Sequence, residues 1–253
     1  ILLMLVQILI FFIWCIKESF TFDPISYLVP GIFSVLTGVI AALIFLKSLK
    51  ESEISLIIPL LSLSPLFSSL FSWIFLGETL RVLQYVGIFI IIKGILILYS
   101  QKLQFLSFLK SITEIKGNKS AKLMIIVAFL WSLTPVLDKM CLQYSSINVH
   151  GLVQAISIFG ILFFFSKKEL KVLNKLKKEN YMLILFTVSI GASAIVLQFF
   201  SISLTYVPIM ESIKRATGQF GALFFGKIFF NECITNQKIL GIILITIGVY
   251  LLI

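Results

Sequence analysis

Along this chain polar residues do not alternate with apolar ones; they gather in short segments between long apolar runs. Taking Lys, Glu, Pro and Asn as boundaries gives nine spans, at roughly 1–16, 28–46, 54–76, 82–100, 121–143, 147–166, 181–204, 207–230 and 236–253. At about 1.5 Å of rise per residue, every span except the first is long enough to cross a hydrocarbon core of about 30 Å as a helix. The pattern predicts an all-α integral membrane protein.

Composition narrows the class. Of 253 residues, 59% are hydrophobic and 13% charged, against about 45–50% and about 25% in a soluble domain. A secreted disulfide scaffold, a nucleic-acid-binding domain and a disordered chain are excluded. The net charge of +10 comes from 21 Lys and Arg, most of them between spans, where they meet lipid headgroups and set topology. Cys15, Cys141 and Cys233 are isolated and His150 is the single histidine. Neither a disulfide set nor a metal site is indicated, and no cofactor is expected. The first span opens without an initiator Met, a basic flank or a cleavage site, so it reads as truncated and not as a signal peptide.

Sliding the chain on itself by 154 positions places Phe75, Glu78, Gly87 and Gly94 on Phe229, Glu232, Gly241 and Gly248. The same shift places Ser64, Ser68 and Ser72 on Gly218, Ala222 and Gly226. These are small-xxx-small faces, which let helix backbones approach where lipid gives no hydrophobic drive to pack. Span 121–143, with Trp131 and Pro135, maps ahead of Ile1, so roughly 30 more residues carrying one helix are expected there. The expected architecture is two repeats of five helices: 1–102, lacking its first helix, and 121–253, joined by a basic linker at 103–120. Because five is odd, the second repeat enters from the opposite side, an inverted-topology arrangement common in secondary transporters.

The run IIPLLSLSPLFSSLFSWIFLGETLRVLQYVGIFIIIKGILIL and its partner VPIMESIKRATGQFGALFFGKIFFNECITNQKILGIILITIGVYLLI resemble the two EamA domains of the drug/metabolite transporter superfamily. The shared elements are a Pro-rich entry, the small face, Gly77-Glu78 before a short loop, Gln84 with Gly87, and the late Gly94. In the second copy Asn231-Glu232 replaces Gly-Glu and Lys238 replaces the glutamine. The resemblance implies ten helices in two inverted halves and alternating access around a midplane cavity. It names no substrate, since members carry amino acids, sugars, nucleotide sugars, phosphorylated metabolites and drugs.

Ionisable groups inside spans are the informative ones, because a charge at mid-membrane costs about 2.5–3.5 kcal/mol on insertion scales. Glu211, Lys214 and Arg215 lie in the first turns of span 207–230, after Pro208, at i,i+3 and i,i+4 spacing. One reading turns Lys214 and Arg215 into a central cavity to bind an anion, Arg by its planar fork and Lys as a point charge. The other lets them snorkel to headgroups with Glu211 as counter-ion. The depth of Arg215, about 12 Å along the helix, favours the first. So does a resemblance to the substrate-facing Lys-Arg pair of nucleotide-sugar and triose-phosphate transporters.

Lys93, in mid-span, should face a cavity or a carboxylate. Gln154 and Gln198 are amides that either bind substrate or join helices, and Tyr206 sits beside the Lys-Arg cluster. Asp138, followed by Lys139, reads as an interface pair; with Glu211 it is also a candidate for proton coupling if burial raises its affinity for a proton. Glu78 and Glu232 read as helix-end caps, not catalysts, and His150 as an interfacial residue, with a pH sensor as the alternative.

Lys-rich segments 101–122 and 167–179 fall on one side of the membrane in this helix count, and the positive-inside rule assigns that side to the cytoplasm. The C-terminus then lies outside, whereas the family resemblance implies cytoplasmic termini. A C-terminal reporter active only in the cytoplasm separates the two. Without a Walker A sequence or room for an ATPase domain, the leading function is a secondary carrier for a small anionic or zwitterionic metabolite, in a bacterial plasma membrane. The alternatives are a flippase for a lipid-linked sugar and a membrane-embedded transferase. Its partners would be a small-molecule substrate and the bilayer, not nucleic acid, with the protein a monomer or homodimer.

Overall fold

The computed structural model describes residues 2–51, 58–99, 119–165, 181–230 and 235–253, and the statements below concern these residues. They form nine α-helices: α1 (Leu2–Lys17), α2 (Pro24–Glu51), α3 (Ser64–Leu76), α4 (Val82–Tyr99), α5 (Lys119–Leu142), α6 (Ile147–Phe165), α7 (Tyr181–Leu204), α8 (Val207–Phe230) and α9 (Asn236–Leu252). A 3-10 turn, Ile58–Leu63, leads into α3. Every span expected from the pattern carries a helix. By length and composition α2, α5, α6 and α7 are each able to cross a membrane. Outward faces are apolar: on α7 alone Met182, Leu183, Leu185, Phe186 and Leu197 are exposed. In water such a surface would drive aggregation; in lipid it is solvated.

The chain divides into two compact units, 1–39 with 137–204 and 40–136 with 205–253. In the first, α1 packs against α6 and α7. Phe11 is wholly buried, its ring 6.1 Å from that of Phe199 and against Gly151, where a Cβ would collide with it. Asp23 starts α2: its carboxylate accepts from the Ile25 amide at 3.2 Å, and Pro24 follows at a position where no amide is needed. Hydrogen bonds from Ser26 hold the Asp23 carboxyl below the usual range. The same loop pairs with the α5–α6 turn, through Asp23 N to Tyr144 O at 2.8 Å and Ser146 N to Thr21 O at 3.0 Å.

In the second unit α4 and α9 make the closest pairing. A Cβ at Gly87 would stand 2.7 Å from the Gly248 carbonyl, and one at Gly94 would stand 2.9 Å from the Gly241 carbonyl. Backbone therefore lies on backbone at two crossings, which only glycine permits. Ile88, Ile91, Ile95, Ile245 and Leu252 fill the surrounding core. The amide side chain of Gln84 donates to the Leu252 carbonyl at 3.1 Å, and that of Gln237 donates to the Ile97 carbonyl at 2.6 Å. Each helix start thus serves an orphan carbonyl at the end of the other. Lys238 was expected in the place of the second glutamine; Gln237 takes that role one residue earlier. Gln84→Ala and Gln237→Ala should each lower unfolding free energy by about 1 kcal/mol in detergent-based denaturation. The two losses should be of similar size, and a loss confined to one variant would contradict the reciprocal arrangement.

The close approach expected at the small face of α8 is absent at Gly218. That residue is exposed, and a Cβ there would meet nothing within 4 Å. The surroundings of Ala222 and Gly226 lie outside the described residues. So do Glu232, Cys233 and most of the Lys-rich segments 101–122 and 167–179.

Candidate functional site

Two buried polar clusters interrupt the apolar packing, one in each unit. In the second unit, α3 offers Ser64, Ser68 and Ser72 one turn apart, all fully buried, and it packs along α8. Glu211 of α8 is also fully buried. Its carboxylate receives the Lys214 ammonium, the Arg215 guanidinium at 3.6 Å and the Ser64 hydroxyl at 3.4 Å. The Arg215 Nε donates to the Ser64 oxygen at 2.9 Å. The side chain of Lys214 is 41% exposed and that of Arg215 17%. Two cations share one carboxylate, so the group carries a net single positive charge with its ammonium end accessible. The shared carboxylate holds Lys214 and Arg215 side by side and spares the interior two uncompensated charges.

Glu78 completes this region. Gly77 adopts the left-handed conformation (φ +67°) that ends α3, and the turn brings the Glu78 carboxylate onto the Ser72 hydroxyl. It also accepts from the Val207 amide at 3.0 Å, the first residue of α8. A carboxylate at a helix N-terminus answers both the orphan amide and the half-dipole. The Glu78 carboxylate therefore caps the start of α8.

In the first unit Asp138 of α5 is almost wholly buried. It accepts from the Ser34 hydroxyl of α2 and from the Gln154 amide of α6 at 2.8 Å. Gln154 reaches the Ser34 oxygen as well, at 3.1 Å. His150, one turn before Gln154, is fully buried and not interfacial. The turn joining α5 to α6 carries it inward, with the ring edge-on to Phe199 at 4.8 Å. Its Nδ1 lies 2.8 Å from the Tyr27 hydroxyl and its Nε2 3.4 Å from Asp138 Oδ1. Asp138 thus faces a serine, an amide and a histidine. Ser34 and Tyr27 escaped the sequence reading.

Of the other expected residues, Lys93 is exposed on α4 between buried Ile92 and Gly94 and joins neither cluster. Gln198 is half-buried on α7, and Tyr206 is exposed where α7 gives way to α8. Among the described residues no group of three His, Cys, Asp or Glu could hold a metal ion.

An EamA-like transporter family model matches residues 1–100 and 118–253, nearly the whole chain. The chain belongs to the EamA-like transporter family. It is also 27% identical over 228 residues to a protein of Methanothermobacter thermautotrophicus (strain Delta H) named an uncharacterized transporter; the match covers 90% of this chain and 64% of that protein. The chain therefore spans slightly less than two thirds of the relative's length. Membership of this family, together with the apolar helices, makes it an integral membrane protein.

Proposed function

We propose that this EamA-family protein is a secondary carrier that moves a small anionic or zwitterionic organic metabolite across the plasma membrane by alternating access. The observation carrying the proposal is the Glu211–Lys214–Arg215 group, with its net positive charge, its accessible ammonium and a buried carboxylate that fixes both cations. An ammonium and a guanidinium one residue apart suit a carboxylate or phosphate, the guanidinium by its planar fork. Two inverted repeats, 1–102 and 121–253, fit the shift by 154 residues, since the shift maps Gly87 on Gly241 and Gly94 on Gly248. These glycines meet crosswise, Gly87 with Gly248 and Gly94 with Gly241, the exchange that a pseudo-two-fold axis between α4 and α9 produces. Lysines of 101–122 and 167–179 would face the cytoplasm.

The test is thermal unfolding of the purified full-length protein with phosphorylated, carboxylated, neutral and cationic metabolites. A ligand at 100 times its Kd adds about 2.7 kcal/mol. Anionic compounds should stabilise the protein, and Lys214→Ala and Arg215→Ala should each abolish the effect. Stabilisation by neutral or cationic compounds that survives both substitutions would refute the assignment.

A further inference from the structure

We propose that His150, Asp138 and Tyr27 form a proton-binding site buried in the first unit, in which His150 takes up a proton and is held as imidazolium against the Asp138 carboxylate. Three helices build it: Tyr27 and Ser34 come from α2, Asp138 from α5, and His150 and Gln154 from α6. The titratable groups that face the imidazole are Tyr27 and Asp138, and the Cys141 thiol neighbours the Tyr27 hydroxyl. Phe199 of α7 lies against the ring and Phe11 of α1 against Gly151 beside it.

The geometry states where the proton goes. Oδ1 of Asp138 already accepts from Ser34 and Gln154. Nε2 of His150 lies 3.4 Å from that oxygen, yet among buried polar atoms it makes no hydrogen bond. A neutral ring with its hydrogen on Nε2 faces the carboxylate with a weak contact and accepts the Tyr27 O–H at Nδ1. Uptake of a proton then occurs at the Nδ1 lone pair. The Tyr27 hydroxyl turns from donor to acceptor, no bond to carbon changes, and the ring becomes a cation facing an anion. That charge strengthens the Nε2 contact and draws α6 towards α5.

An unpartnered imidazole nitrogen, a carboxylate already supplied with donors and a hydroxyl able to reverse its bond differ from a static helix-packing contact. Packing alone requires no titration. A role for the proton in a transport cycle rests on the carrier reading above, whereas the site itself does not.

The experiment is 15N NMR of the full-length protein in nanodiscs, labelled at histidine rings and purified without a histidine tag, with the His150 signals assigned by their loss in His150→Gln. Between pH 9 and pH 4 the two ring nitrogens should pass from the shifts of a neutral Nε2–H tautomer to those of imidazolium. Asp138→Asn should move this conversion to lower pH, requiring on the order of tenfold more protons. Tyr27→Phe should move it in the same direction while leaving the carboxylate in place, and it serves if Asp138→Asn does not fold. Ring shifts that stay constant over the whole range, or a conversion unmoved in the folded variants, would overturn the proposal. Titration as expected in a protein that no anion stabilises would leave the proton site standing and remove the carrier reading.

Discussion

Glu211→Ala should cost about 3 kcal/mol of unfolding free energy. Removing one partner of a buried ion pair leaves the other charge uncompensated, at about 3–5 kcal/mol. The low end applies here because the Lys214 side chain is 41% exposed and can turn to solvent or headgroups, whereas Arg215, at 17%, is more enclosed. Ser64 suffers as well: its hydroxyl keeps the guanidinium as donor but loses its acceptor on Glu211. Pairing Glu211→Ala with Arg215→Met, which removes the stranded charge while keeping an apolar stem, should restore more than half of the loss. Detergent-based unfolding of the two single variants and the double variant measures the coupling. A single-variant loss below about 1 kcal/mol would mean that this group is solvated like a surface pair and does not order α8.

Gly248→Leu should be of comparable size, about 3 kcal/mol, at the upper end of overpacking costs. A Cβ at Gly248 would stand 2.5 Å from Ile91 Cγ1, 2.7 Å from the Gly87 carbonyl oxygen and 2.9 Å from the Ile91 amide nitrogen. Two of these three atoms are backbone, so rotating a side chain cannot relieve the clash and the helices must part. Parting them also stretches the Gln84 and Gln237 bonds to the opposite helix ends. Gly218→Leu on α8 is the control, since nothing stands within 4 Å of its Cβ, and it should change stability by less than about 0.5 kcal/mol. Equal losses at the two positions would show that the α4–α9 contact is not the tight one.

These outcomes depend on features of unequal legibility. Helix positions were readable because a bilayer imposes one length and one polarity on each span, and the charged breaks between spans are abrupt. Gly87, Gly94, Gly241 and Gly248 were readable from the internal shift, since a close backbone crossing excludes other residues. Glu211, Lys214 and Arg215 were readable because their partners lie within one helical turn.

At His150 sequence context and structure differ for a physical reason. Two residues after Asn148, at the start of a span, a histidine has the sequence context of an interfacial residue, and only the inward course of the α5–α6 turn buries it. Its partners lie on other helices, 123 residues away in the case of Tyr27, and no local spacing reports that. One signal was present: His150 and Gln154 lie at i,i+4 and therefore share a face of a mostly apolar helix, as Tyr27 and Ser34 do at i,i+7. Polar residues stacked on one face of a span indicate a shared interior partner more reliably than a single residue does. Lys93 is the opposite case, a conspicuous charge by position that the folded chain leaves on its surface.

The crosswise glycines have a mechanical consequence. Helices separated by a layer of side chains can shear past one another, because rotamers change and methyl groups slip between ridges. Between α4 and α9 that layer is missing at two points about two turns apart, and a slide of one residue in either direction would drive a side chain such as Ile91 or Ile245 into a carbonyl. The pair therefore acts as a splint of fixed register, and when this protein moves, bending is left to the helices whose contacts are side chain on side chain.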